Sequence, residues 1–189
     1  MRELLLGPWR FSDLRERLDG ISPSVLAERL ARVEELELVR RVLLPPPAAS
    51  TVYELTAHGE ALRLAIYELI RWGGRFLRRR KGDRVEPEWM RLALDALARR
   101  GVSPPRRFLL RVREGRKDVL LHVAGGGRGT TVSVGAAPAD ATLVLDVRTL
   151  LAVASGRMPL PGAVESGSVE ASGDLDALSD FAQLFESAR

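Results

Sequence analysis

The chain has 189 residues, of which 46% are hydrophobic and 29% charged, with a net charge of +4, a balance that excludes a disordered polyelectrolyte and a membrane-embedded protein. It has no cysteine, which removes disulfides, thiolate catalysis, zinc fingers and thiol redox sensing together; with two histidines, no metal site and no cofactor are expected. No apolar run approaches the ~20 residues of a membrane span and no signal-peptide layout opens the chain, so membrane insertion is not expected and the expected compartment is the cytoplasm.

Charge is unevenly spread. From Arg71 to Arg128 basic residues outnumber acidic ones by 17 to 6, whereas from Thr131 to Arg189 acidic residues lead by 8 to 3. The first of these regions suits a polyanion and the second does not. A change of pattern near residue 83 splits the chain into expected domains 1–82 and 83–189, together an α+β protein.

In chain order, Phe11 to Leu18 reads as a short amphipathic helix, and Asp19-Gly20 as a turn. Ser22 caps a second helix with Pro23 at its first position. Leu26, Leu30 and Val33 recur at helical spacing and define a buried face, which turns Ser24, Glu28, Ala31 and Glu35 outward with Val25 and Arg32 beside them. Leu38 to Val42 and Thr51 to Leu55 read as paired strands around a Pro45-Pro46-Pro47 tip. The order is that of a helix-turn-helix followed by a wing.

Recognition helices touch bases mostly through their N-terminal turns. The candidate contacts to double-stranded DNA are therefore Ser22, Ser24, Val25, Ala27, Glu28 and Arg32, with Arg32 suited to guanine or phosphate and Glu28 to cytosine N4. Arg40 and Arg41 on the wing would add affinity and salt dependence through the backbone. Glu34, Glu35 and Glu37 sit late in the helix and are expected to point away from phosphates. A solvated helix face stands as the plain alternative, above all for Glu28.

Thr56 then caps a long helix with Leu62, Ala65, Ile66, Leu69, Ile70, Trp72 and Phe76 on its apolar side. Such a helix needs a surface to bury itself against, and a twofold homodimer would supply one while setting two recognition helices about 34–36 Å apart. Arg78-Arg79-Arg80-Lys81 closes the segment as a basic linker.

The residues Arg2-Glu3-Leu4-Leu5-Leu6-Gly7-Pro8-Trp9, Phe11-Ser12-Asp13-Leu14, Gly20-Ile21-Ser22-Pro23-Ser24-Val25-Leu26, Leu38-Val39-Arg40-Arg41 and Val52-Tyr53-Glu54-Leu55-Thr56 with Gly59 resemble the HxlR-type winged-helix regulators over about residues 2 to 77. The resemblance implies a dimeric bacterial transcription regulator. Two departures stand out: the family has a further helix ahead of the Arg2-Glu3-Leu4 motif, commonly used in its dimer, and it usually has Gly where this chain has Glu37.

In the second half Glu86-Pro87 opens a helix through Trp89, Leu92, Leu94 and Leu97 that Gly101 closes. Strand alternation follows at Phe108 to Arg113, Val119 to Val123, Thr131 to Val134 and Thr142 to Val147, with hairpin turns at Glu114-Gly115 and Gly125-Gly126-Gly127. Asp146 caps a helix ending near Ser155-Gly156. A short strand lies around Val169, and Asp174 begins a last helix with Leu175, Leu178, Phe181, Leu184 and Phe185 on one side. Gly125 to Gly129 lacks the Lys-Ser/Thr and following helix of a phosphate loop and reads as a turn. No nucleophile elbow, metal cluster or paired carboxylates accompany His58 or His122, so an enzyme is not expected.

Ala139 to Leu145, Leu150-Leu151 through Ser155-Gly156, and Gly167 to Asp174 with Leu178 and Leu184-Phe185 look like the sterol carrier protein superfamily over about residues 105 to 186. That resemblance implies an α/β domain, a sheet covered by helices around an apolar cavity for a small lipid-like ligand. Phe108, Leu110, Val112, Leu121, Val123, Val132, Val134, Leu143, Leu145, Phe181 and Phe185 are the pool from which its wall would come. The two halves together predict a DNA-binding regulator governed by a small apolar effector; the alternative is a winged-helix protein without DNA binding that serves as a lipid carrier or assembly module.

Overall fold

The computed structural model describes residues 1–74 and 86–186. The Phe76 and Arg78–Lys81 expectations and the boundary at 82/83 lie outside the described residues. Two compact units divide between Glu68 and Leu69.

In the first unit a 3-10 turn at Glu3–Leu5 precedes helices α1 (Phe11–Arg17) and α2 (Pro23–Glu35), strands β1 (Val39–Leu43) and β2 (Thr51–Leu55), and helix α3 (Ala57–Ala61); helix α4 (Arg63–Gly74) begins in this unit, and its residues from Leu69 on belong to the second. Leu14, Leu26, Leu30, Val39, Val52 and Leu55 form its core with Leu4 and Leu5. The buried Glu3 carboxylate accepts from Arg17 Nε at 2.9 Å and from Arg2, and the Arg17 guanidinium lies 4.3 Å from the Trp9 ring centre. Trp9 and Tyr53 exchange backbone hydrogen bonds, which adds a third short edge to the wing.

The long helix expected after Thr56 is two helices. At Leu62 the backbone N–H bonds the carbonyl of Gly59, three residues back, and the tighter turn separates α3 from α4. Arg63 donates across the break to Glu60 and, within α4, to the Tyr67 hydroxyl.

The second unit has α5 (Trp89–Leu97), β3 (Arg107–Glu114), β4 (Lys117–Ala124), β5 (Thr131–Val134), β6 (Ala141–Asp146), α6 (Val147–Ala154), α7 (Leu160–Glu165), β7 (Glu170–Gly173) and a 3-10 helix at Leu175–Leu184. Its five strands run in the order β5-β4-β3-β6-β7, with β3 and β6 parallel and the other pairs antiparallel. Alternation puts Phe108, Leu110 and Val112 of β3 on the same buried face as Leu121 and Val123 of β4 and Leu143 and Leu145 of β6. Residues of α6, α7 and the 3-10 helix join them in one core.

The glycine-rich stretch is a β4–β5 connection with a structural reason for its composition. Gly126 N–H donates to the buried Ser103 hydroxyl at 3.0 Å, and a Cβ on Gly125 would stand 2.1 Å from the Pro104 carbonyl oxygen. The backbones approach too closely for a side chain there.

Three details depart from expectation. Val147 belongs to α6 and not to the strand: Asp146 caps the helix as expected, its carboxylate accepting from Thr149 N–H at 2.6 Å, and β6 ends there. Helix α7 has no counterpart among the expected elements; at six residues it is too short for helical periodicity to register, and its prolines, Pro159 at the N-cap and Pro161 in the first turn, suit a loop as well as a helix start. The last helix is 3-10: Leu178, Phe181 and Leu184 follow one another at three residues per turn, Leu175 is exposed, and Phe185 lies in extended backbone beyond the end.

Candidate nucleic-acid interface

The recognition helix is built from its ends inward. Ser22 accepts a hydrogen bond from Val25 N–H at 3.3 Å, capping α2, while Leu26 and Leu30 turn into the core. Ser24, Val25, Ala27 and Glu28 are consequently exposed around the first turns, and Arg32 follows one turn later on the exposed side.

At its other end α2 stops through a reciprocal pair of bonds, Leu38 N–H to the Val33 carbonyl and Glu37 N–H to the Glu34 carbonyl. That stop requires a left-handed residue, and Glu37 takes φ +54°. Glu37 lacks glycine's freedom there, and the strained backbone is held by Thr56, whose hydroxyl donates to the Glu37 carbonyl.

The exposed cations do not stand alone. Arg32 Nη1 meets Glu35 Oε2 at 3.0 Å, Arg40 Nη2 meets Glu54 Oε1 at 2.6 Å across the β1–β2 register, and Arg41 Nε donates to Glu34 Oε1 at 3.0 Å. The Glu34 hydrogen bond raises the Arg41 pKa further above its usual range, so that guanidinium is always charged. Glu34 and Glu35, expected to point away from phosphates, are the partners of the candidate cations: α2 ends beside β1, close enough for Glu34 to reach Arg41, and Glu35 lies three residues beyond Arg32. Glu54 went unremarked as a partner because cross-strand register was needed to place it opposite Arg40. Arg10 adds a further tie to the wing, donating to Ser50 Oγ at 3.0 Å.

In the second unit Phe108, Leu110, Leu121, Val123, Leu143, Leu145, Phe181 and Phe185 are brought together, each at most 3% exposed, with Val132 at 8%. Phe181 meets Phe108 edge-on at 5.0 Å and Phe185 at 5.2 Å, so these rings pack on one another. Val134 departs from the group. It ends the edge strand β5 and is 60% exposed. Of the predicted lining residues only Leu145 also borders the open groove of about 370 Å³ at the end of β6, whose other walls include Arg113, Asp146, Thr149, Ser168 and Glu170; that groove is polar.

Residues 84–186, more than half of the chain, match the model of the SCP-2 sterol transfer family. The chain belongs to that family. Residues 1–81 match the HxlR-like helix-turn-helix model, so an HxlR-like domain is fused ahead of the SCP-2 domain. The chain is 38% identical over 73 residues to the HTH-type transcriptional regulator YodB of Bacillus subtilis (strain 168), a match covering 39% of this chain and 65% of that protein. Among solved structures, the reduced form of YodB from B. subtilis matches at 37% identity and TM-score 0.36 over 43% of this chain and 78% of that one. The sec-alkylsulfatase Pisa1 from Pseudomonas sp. matches at 26% identity and TM-score 0.43, over 55% of this chain and 17% of that one. The chain spans less than two thirds of the length of the curated relatives it matches.

Within the SCP-2 domain, no group of three or more His, Cys, Asp or Glu side chains that could hold a metal occurs among the described residues. No helix among them is long and apolar enough to cross a membrane. His122 Nε2 lies 3.1 Å from the Pro138 carbonyl oxygen at the sheet surface.

Proposed function

We propose that the protein is a dimeric, DNA-binding transcription regulator whose SCP-2 domain holds a small apolar effector. The observation that carries this reading is the exposed first turns of α2, with Ser24, Val25, Ala27 and Glu28 open to solvent, in an HxlR-like domain whose wing carries the exposed Arg40 and Arg41. Base contact needs small or polar groups at the helix N-terminus and cations at the flanking backbone, and both are present. Regulation follows if the effector binds the DNA-competent and incompetent arrangements unequally. The test is titration of the purified chain into DNA from its own upstream region beside a scrambled duplex. Preference for the native duplex is expected; equal or absent binding at about 50 mM salt would refute the reading.

The dimer rests on α4. Leu69 and Trp72 are exposed by 64% and 63%, and their spacing places them on one side of the helix together with Ala65. A row of this kind is costly in water and suits a second copy of the same helix. Leu69→Glu with Trp72→Glu should convert the dimer to a monomer in sedimentation. A dimer that survives would place the contact elsewhere.

A second reading, an assembly module or lipid carrier without DNA binding, draws on the ion pairs at Arg32, Arg40 and Arg41, which neutralise the face internally. The DNA titration separates the two.

A further inference from the structure

The wing turns apolar at its tip. From Val42 to Ala49 the sequence reads Val-Leu-Leu-Pro-Pro-Pro-Ala-Ala, eight residues without a polar side chain. Leu43 is 74% exposed, and every residue from Pro45 to Ala49 is exposed. The tip is closed by its own backbone, Leu44 N–H donating to the Ser50 carbonyl at 3.0 Å and Ala49 N–H to the Pro45 carbonyl at 3.3 Å. Three consecutive prolines fix φ, so the tip holds its shape before any partner arrives. A contiguous apolar surface kept in water is costly and marks a contact.

Strand alternation sets where this tip faces. Val39, Arg41 and Leu43 share one face of β1. Arg41 reaches Glu34 at the end of α2 at 3.0 Å, so that face looks toward the recognition helix, and Leu43 stands two residues further out on the same side, opposite Thr51. A hairpin that lays Arg40 and Arg41 on the sugar–phosphate strand bordering the major groove carries its tip about 7 Å or more beyond, over the minor groove. The duplex held by those arginines is the partner already alongside the tip. The tip has no polar side chain with which to answer the acceptors and donor of the minor groove. What apolar residues do there is part a base step: Leu and Pro are among the wedges that unstack a step and kink the duplex toward the major groove.

We propose that the wing tip is a wedge: Leu43, backed by Pro45 and Pro46, enters the minor groove, parts one base step and bends the DNA. This rests on the DNA-binding reading above, and it adds an activity, bending, and a second source of sequence preference. Parting a step costs least at the flexible pyrimidine–purine steps TA and CA/TG, so the wing selects the flank of its site by deformability without hydrogen-bonding a base. The exposed turns of α2 select by contact, and the two kinds of selection are separable by substitution.

Two readouts on the full chain test this with the upstream duplex: energy transfer between dyes at the duplex ends reads bending, and 2-aminopurine placed in turn at adenines of the flank reads unstacking. The unsubstituted protein should bend the duplex by about 20–90° and brighten 2-aminopurine at a flanking step. Leu43→Ser, at a position 74% exposed and outside the core, should lose the brightening and most of the bend. Its binding should keep the original slope against salt, since no phosphate contact is removed. Changing the flanking step from TA to GC should weaken the unsubstituted protein and leave Leu43→Ser unaffected. A duplex bound with native preference that stays straight and dark would overturn the wedge, leave the DNA-binding reading standing and assign the tip to a protein partner. A bend that Leu43→Ser retains would overturn it as well. Absence of binding to every duplex at about 50 mM salt would instead remove the DNA-binding reading and the wedge together.

Discussion

Gly59→Ala is expected to destabilise the winged helix by about 3 kcal/mol or more, enough to lower its thermal midpoint by about 10 °C or beyond, on the scale of severe overpacking. A Cβ at this position would lie 2.0 Å from the Leu38 carbonyl oxygen and 2.9 Å from its carbon. Neither atom is free to retreat. The Leu38 carbonyl accepts the Thr56 N–H, and Leu38 N–H donates to Val33 in the bond that ends α2. Helix α3 would have to withdraw from β1 and break the Thr56 cap, whose hydroxyl holds both Gly59 N–H and the Glu37 carbonyl. Denaturant melting of the variant, followed by circular dichroism, checks this; an unchanged midpoint would mean that α3 shifts freely and that the α2 terminus is not braced through it. Gly74→Ala, where a Cβ would meet nothing within 4 Å, is the matched control.

Replacing Arg40 and Arg41 with alanine should weaken DNA binding at about 50 mM salt by roughly two orders of magnitude, and should flatten its salt dependence by about 0.9 in the log–log slope for each phosphate the wing no longer neutralises. Discrimination between native and scrambled duplexes should change little, since backbone contacts position the protein without reading bases. For an intact dimer making about 6–10 phosphate contacts, affinity should fall by about 10³–10⁵ between 50 and 200 mM salt. The carboxylates sharpen the test. Glu34→Gln with Glu54→Gln leaves both guanidinium groups charged and removes the groups that hold them, so it should strengthen DNA binding. Fluorescence anisotropy at several salt concentrations reads both effects. If the double arginine variant keeps the original slope and affinity, the wing does not touch DNA.

How much of this was legible in advance differs between the two halves. The winged helix could be read almost entirely, because its signals are local: Ser22-Pro23 starts α2, Leu26 and Leu30 set its buried face, and the alternation of β1 and β2 sets the wing. Even the departure at Glu37 was visible as a position where glycine was expected. The structure adds the cause, a left-handed backbone at φ +54° in the bond pair that ends the helix. In the second half the strands and the alternation of Phe108, Leu110 and Val112 were equally legible, since a half-buried sheet writes its pleat into the sequence with a period of two.

The remainder depended on contacts between residues far apart in the chain. That β6 returns parallel to β3 cannot be read from either strand, since the pairing is set by the crossover and not by the alternation. Arg40 meets Glu54, Arg41 meets Glu34 and Arg106 meets Asp180 only once register and packing are in place, and a count of charges along the chain pairs none of them. The three-residue spacing of Leu178, Phe181 and Leu184 fits both a loose α-helix and a 3-10 helix, and packing against Phe108 selected the second. Apart from α7, the break between α3 and α4 and the 3-10 form of the last helix, local sequence was enough to specify the elements, because those follow from backbone preferences and hydrophobic periodicity within a few residues. Which charges neutralise one another, and which segment closes the apolar face, was settled only in the packed fold, because a salt bridge or a covering contact is a property of two places in the chain brought together.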